Sequence, residues 1–345
     1  MGHHLRYLML VALTGLLAVF LHLSLFVYQL GAPVKAEYWL RELKIVKRVI
    51  AANIKGPKLV VLGGSNALVG IDSTMLEETV GIPTVNLALH GALNIHYLLL
   101  DAREVLRPYD YLLLALEYEA YTRDPNTLWF TNQVMTWDTT YFWDLPLKDK
   151  GTFIHAVPLN RLMAGAVAQL QRGRTANVLH RTVANDDDVL RRYAQAFTDT
   201  STGSREVYSV ENVDAHGDLR RLPQSRSYRE DSDYGLSTPF VAPAHVWDEL
   251  REFSEYCQAR HITLFFAWPP SIKSPMLDAP AVINHVQQHQ AYMRQHRMQM
   301  LGLPWEFSYE RTFFSDTGYH LTPAGRSKHT EALLRYLRPL MLAPS

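Results

Sequence analysis

The sequence predicts an α/β domain, built on a parallel sheet, behind a single N-terminal membrane-spanning helix. Three observations predict it. Residues 7–34 carry no formally charged side chain, and Leu8–Leu30 is almost wholly apolar; a helix needs about 20 such residues to cross the hydrocarbon layer. From residue 58 onward, short apolar runs of strand length alternate with helical stretches, as in βαβ units whose sheet is covered on both faces. The breaks fall on turn residues, Gly63-Gly64 after the first run and Gly81 with Pro83 before the second.

Taken in order, residues 1–34 form the anchor. A cleaved signal peptide has an apolar core of only about 7–15 residues, shorter than this run. Residues 35–57 are an amphipathic connector. Lys58–Gly64 reads as a buried strand entering a tight turn, and Asp72–Val80 as a short helix in which Thr74 and Glu77 have capping-box spacing. Thr84–Leu89 is a second strand, Leu93–Leu106 a helix and Tyr111–Leu116 a third strand. The alternation then breaks over about 122–243, which holds an aromatic stretch from Trp129 to Trp143, helical segments near 155–172 and 187–198, and a polar tract over 200–236 expected to pack loosely. It resumes with a helix over 245–260, a strand at Ile262–Ala267, a helix near 278–297, a short strand near Gln299–Leu303 and a last helix from Pro323. Residues 58–345 therefore read as one α/β domain with an insertion at about 122–243.

The 34 basic and 34 acidic residues cancel, so no global field draws the chain to nucleic acid. Cys257 is the single cysteine, which excludes an intrachain disulfide and a cysteine-built zinc site; it reads as a buried apolar side chain. No cluster of metal-ligating residues stands out, and no cofactor motif is present: neither the dinucleotide nor the phosphate-loop glycine spacing occurs. After the apolar run come Lys35, Arg41, Lys44, Lys47 and Arg48 against Arg6 before it, and the positive-inside rule would place the following domain in the cytoplasm.

In open α/β sheets, reactive groups gather beyond the carboxyl ends of the strands. Those ends carry Gly63-Gly64-Ser65-Asn66, His90-Gly91 and Glu117-Tyr118-Glu119, and Asp316-Thr-Gly-Tyr-His320 lies just before the last helix. A serine hydroxyl needs a base within hydrogen-bond reach. His320 is the candidate base for Ser65, with Asp316 to fix its tautomer. The backbone N–H groups of Ser65 and Gly91 are candidate oxyanion donors.

This ordered set, with GGSNALVGID, VNLALHG and DTGYHLTPAGR, resembles the SGNH (GDSL-like) hydrolases. More narrowly it resembles their membrane-anchored branch, which includes the D-alanine transfer protein of teichoic acids and the alginate-type O-acetylation proteins. The likeness spans about 58–120 and 245–340. It implies a five-stranded parallel sheet of flavodoxin-like order and a place outside the cytoplasmic membrane, against the charge count above. It also implies acyl transfer or ester hydrolysis through Ser65, His320 and Asp316. The implied partners are a membrane-bound O-acyltransferase, a surface polysaccharide as acceptor and the bilayer around residues 7–30.

Two departures stand out. The family's third block usually offers an Asn donor to the oxyanion, where this chain has Glu117 and Glu119, and a carboxylate accepts rather than donates unless protonated. Asn66 is the candidate substitute. The Asp316-to-His320 spacing is also one residue longer than the common form. His90, Glu117, Trp129 and Trp137 are candidate substrate contacts, the two tryptophans as a stacking platform for sugar rings, with structural packing as the competing reading for both aromatics and His90. The competing function is a non-catalytic scaffold that keeps the fold to bind a polymer or a membrane enzyme.

Overall fold

A computed structural model describes residues 2–171, 185–198, 206–224 and 232–342. The chain divides into two compact units, Met1–Arg41 with Asn126–Ala184, and Glu42–Pro125 with Asn185–Ser345. The expected single insertion is therefore corrected: its first part shares a core with the N-terminal helix, and its second part belongs to the α/β unit.

The first unit begins with a helix over Gly2–Tyr28. At 1.5 Å per residue it is about 40 Å long, enough to cross a ~30 Å hydrocarbon layer with tilt. Its span from His3 to Tyr28 is long and apolar enough to cross a membrane, and only 6% of its most apolar window is buried. Its C-terminal end is the exception. Phe26 is fully buried, with ring centroids 5.0 Å from Phe142 and 6.4 Å from Phe153. The Arg161 guanidinium donates to Gln29 Oε1 at 2.8 Å, and Gly31 N–H to the Met135 carbonyl at 2.7 Å. These contacts explain why helices Leu128–Trp137, Thr139–Asp144, Leu147–His155 and Leu159–Gln171 group with the N-terminal helix. The aromatic stretch is helical, with Phe130, Tyr141 and Phe142 buried.

The second unit is α/β. Strands β1 (Leu59–Gly63), β2 (Thr84–Asn86), β3 (Tyr111–Ala115), β4 (Thr263–Ala267) and β5 (Gln299–Leu301) form a five-stranded sheet in the order β2-β1-β3-β4-β5, with all neighbours parallel. That is the 2-1-3-4-5 order of doubly wound sheets, whose ligands sit beyond the carboxyl ends of the strands near β1 and β3. The central strands are apolar throughout because helices cover both faces. A pair of two-residue strands, Ser271–Ile272 and Ser308–Tyr309, lies beside them.

Several local expectations need correction. The helix Ser73–Val80 is capped by Asp72, whose carboxylate accepts the Met75 N–H at 3.0 Å, so Thr74 is inside it rather than at its cap. β2 is shorter than Thr84–Leu89, although Leu87 and Leu89 still donate to the Val61 and Gly63 carbonyls. The polar tract is not loose where it is described. Asp218 is buried, accepts from Ser73 N and Oγ and from Asn86 Nδ2, and pairs with Arg326 at 2.7 Å. Charged and polar residues thus pack 206–224 onto β2 and the last helix; residues 199–205 and 225–231 lie outside the described residues.

At the opposite end of the sheet from those carboxyl ends, Lys58 and Asp110 set the register of β1 against β3. Their side chains are fully buried, Nζ donates to Oδ2 at 2.6 Å, and the Asp110 carboxylate also accepts the Lys58 and Arg107 N–H groups. Removing one member of such a pair leaves an uncompensated charge. Asp110→Ala is expected to cost about 3–5 kcal/mol in equilibrium unfolding of the detergent-solubilised chain, and Asp110→Asn combined with Lys58→Met markedly less. An Asp110→Ala cost near zero would show that the pair is not what fixes the register.

Candidate active site

β1 ends at Gly63, and Gly64 leads directly into the short helix Ser65–Gly70, which leaves the Ser65 hydroxyl half-buried at the carboxyl end of the sheet. β2 leads to the His90-Gly91 turn. His90 Nδ1 accepts the Ala92 N–H at 3.0 Å, so that nitrogen closes the turn. β3 leads to Glu117, a buried carboxyl 7% exposed.

These three segments meet on the Glu117 side chain. Its Oε1 accepts the Ser65 hydroxyl at 3.1 Å and the Asn66 N–H at 3.3 Å. The carboxyl lies so close over Gly91 that a β-carbon there would be 1.8 Å from Oε2, and one on Gly64 would be 2.8 Å from Oε1. Glycine at 64 and 91 is what makes room for the acid. Arg123 donates to the Gly91 carbonyl from the other side and holds the turn in place.

Burial is the main cause raising the Glu117 pKa above its ordinary value, and the charge of Glu119 raises it further. The hydrogen bonds from Ser65 and Asn66 and the charge of Arg123 oppose this without cancelling it. The arrangement therefore favours a neutral carboxylic acid more than an exposed glutamate would.

His320 and Asp316 form the second element. His320 Nδ1 lies 2.8 Å from Asp316 Oδ1, and the histidine is only 7% exposed. The His320 N–H donates to Thr317 Oγ1, and its carbonyl accepts the Ser315 N–H. Burial pushes the Asp316 carboxyl up, but the hydrogen bond and charge of His320, with the Ser315 hydroxyl, outweigh it and hold the pKa below the usual carboxylate value. The pair sits at the same end of the sheet as Ser65. Leu321 lies against Gly70, and the Tyr319 hydroxyl donates to Glu119 Oε2 at 2.7 Å, just beyond β3.

The expected direct contact between His320 and Ser65 is corrected. Among the described residues no hydrogen bond joins them, because the Glu117 carboxyl is the acceptor the hydroxyl meets. Asn66 is corrected too. Its side-chain amide donates to the Ala115 carbonyl at 3.2 Å and is turned into the sheet, and its Oδ1 is buried without a hydrogen-bond partner. Trp129 and Trp137 belong to the first unit, where Trp137 Nε1 donates to Gln133. Sequence reasoning assigned Glu117 to substrate contact and passed over Tyr319 and Arg123. The legible signal for Glu117 was its place two residues beyond β3, in register with the glycine turn after β1.

Gly91→Ala drives a methyl group into Glu117 and is expected to cost about 1–3 kcal/mol. In a Glu117→Ala background most of that cost should vanish, a coupling measurable by a double-mutant unfolding cycle. Additive costs would mean that the carboxyl does not occupy the space above Gly91. A scan against protein-family models and a search of curated proteins find no match to the chain.

Proposed function

We propose that this is a membrane-anchored protein of the SGNH type that transfers or hydrolyses an acyl group through Ser65, His320 and Asp316. In this reading its acceptor is a cell-surface polysaccharide, its acyl supply a membrane-bound O-acyltransferase, and its α/β unit faces the extracytoplasmic side. The observation that carries the reading is the convergence, at one end of a 2-1-3-4-5 sheet, of a half-buried serine on a glycine turn, an oriented His320–Asp316 pair and a buried acid beside the serine.

Glu117 then takes the part of the missing Asn. With Oε1 accepting from Ser65 and Asn66, the proton of the neutral acid sits on Oε2, over Gly91. There it donates to the oxygen that becomes negative as Ser65 attacks, alongside the Ser65 N–H; a buried acid kept neutral for this purpose is known chemistry. For the attack, the hydroxyl turns from Glu117 to His320 Nε2, which carries no protein hydrogen bond among the described residues. His320 takes the Ser65 proton as the Oγ–carbon bond forms, and Asp316 stabilises the imidazolium. The tetrahedral intermediate collapses to acyl-Ser65 while His320 returns the proton to the departing oxygen. An acceptor hydroxyl, or water, then repeats the steps in reverse.

The hydrogen bond from Ser65 to Glu117 also favours a second reading, a scaffold in which the carboxyl fills the anion site and no chemistry occurs. Mass spectrometry after exposure to a serine-reactive phosphonate separates the two. Acyl transfer predicts one adduct on the wild type and none on Ser65→Ala; the scaffold predicts no adduct on folded protein and full function in Ser65→Ala.

The role of Glu117 has its own test. Glu117→Ala is expected to lower acyl transfer about 10²–10³-fold, whereas Glu117→Gln, which still offers an N–H donor, keeps most of it. Because the folded pKa is raised, the neutral form persists above the ordinary pH 4.5 and is lost as pH rises through the raised value. Wild-type activity should fall over that rise and Glu117→Gln activity should not. A Gln variant as inactive as Ala would instead make the carboxylate a base.

A further inference from the structure

Beyond Glu117 the chain turns through Tyr118–Tyr121 and helps to line a cavity of about 240 Å³. Its walls are aromatic. The His289 ring stands 4.7 Å from Tyr121 and 5.4 Å from Phe240, and Tyr118 lies 5.5 Å from Tyr234. Thr122, Thr238 and Pro239, all exposed, line it too and leave it reachable from solvent. Glu119, on its rim, receives the Tyr319 hydroxyl and so ties the cavity to the loop that carries His320.

Three polar atoms in this lining are unsatisfied. Tyr118 Oη, Tyr121 Oη and His289 Nε2 are buried with no hydrogen-bond partner, on residues that are 5%, 4% and 2% exposed. Each such group costs about 1–3 kcal/mol unless something supplies the missing bond. Burial, with a smaller contribution from His285, lowers the His289 pKa to about 3, so the ring is neutral at physiological pH and offers no cation. Among the described residues no lysine or arginine lines the cavity, and the one carboxylate is Glu119.

These facts discriminate among ligands. An anion would meet Glu119 and no counter-charge. An acyl chain or a quaternary ammonium would suit the aromatic walls but leave the orphan atoms unpaired. A ring with apolar C–H faces and several neutral hydroxyls satisfies the walls and the orphans together. The volume is below the ~300–1,000 Å³ of clefts that hold drug-sized molecules, and fits one such ring.

We infer that the cavity lined by Tyr118, Tyr121, Phe240 and His289 is a recognition site for one uncharged sugar residue. That this sugar belongs to the acceptor of the acyl group rests on the reading proposed above; the binding itself does not. The ring stacks on the aromatic faces, its hydroxyls pair with Tyr121 Oη and His289 Nε2, and the chain that continues from it passes Glu119 toward Ser65.

The test uses the full chain in detergent carrying Ser65→Ala, so that no chemistry is involved. Saturation-transfer NMR is run with the methyl glycosides of glucose, galactose and mannose, and with methyl glucuronide and choline as contrasts. At least one neutral glycoside is expected to bind, about tenfold more weakly in Tyr121→Phe, a change of one hydrogen bond, and not measurably in Phe240→Ala. Tyr121→Phe removes a buried unpaired hydroxyl and is expected to fold at least as stably as its parent, so it remains informative if Phe240→Ala does not fold. Absence of binding by folded protein, glycoside binding unchanged in Tyr121→Phe, or stronger binding of the glucuronide or of choline would each overturn the assignment. Glycoside binding by a protein whose Ser65 proves unreactive would leave the site standing and remove the acyl-transfer reading.

Discussion

The second unit is organised at the carboxyl end of its sheet around one buried carboxyl. Glu117 is placed by β3, accepts the hydroxyl that β1 delivers, and presses on the glycine turn that follows β2. Three strand ends can meet on it only because positions 64 and 91 carry no side chain. Its electrostatic state follows from the same packing, since burial and the neighbouring Glu119 both disfavour its charge, and among the described residues no cation is hydrogen-bonded to it, Arg123 acting only through its charge. A carboxyl held this way is costly to ionise and is correspondingly able to act as a neutral donor.

Asp316 stands in contrast. Both acids are desolvated, yet His320 and Ser315 stabilise the charge of Asp316 and bring its pKa below the ordinary value, whereas Glu117 has only weak donors and moves up. Their surroundings therefore push the two carboxyls in opposite directions, one toward its charged form and the other toward its neutral form. The aromatic cavity lies beyond Glu119, where Tyr319 connects its rim to the histidine loop.

Much of the fold was legible because its signals are local. The uncharged run before residue 35, the apolar runs of strand length, Gly81 as a helix stop and Thr322 with Pro323 at the start of the last helix all act within a few residues. The polar tract was misread for the opposite reason. Asp218 is buried by Ser73, Asn86 and Arg326, each more than 100 residues away along the chain, and composition says nothing of such partners. The aromatic stretch from Trp129 to Trp143 carried no indication that it would pack with Phe26 instead of lining a site. At the candidate site, the pattern picked out Ser65, Gly91, Glu117, Asp316 and His320 as residues to consider together. It could not give rotamers, so neither the inward turn of the Asn66 amide nor the Ser65 bond to Glu117 was readable.

The protonation state of Glu117 is the most direct test of this account. Infrared difference spectra between wild type and Glu117→Gln, recorded as the pH is raised from the ordinary value of 4.5, report it, because a protonated carboxyl and a carboxylate absorb in separate regions. The account predicts a protonated-carboxyl band in the wild type that is absent from the Gln variant and shifts when Ser65 is replaced by Ala. A difference spectrum containing only carboxylate bands, unchanged by Ser65→Ala, would contradict it.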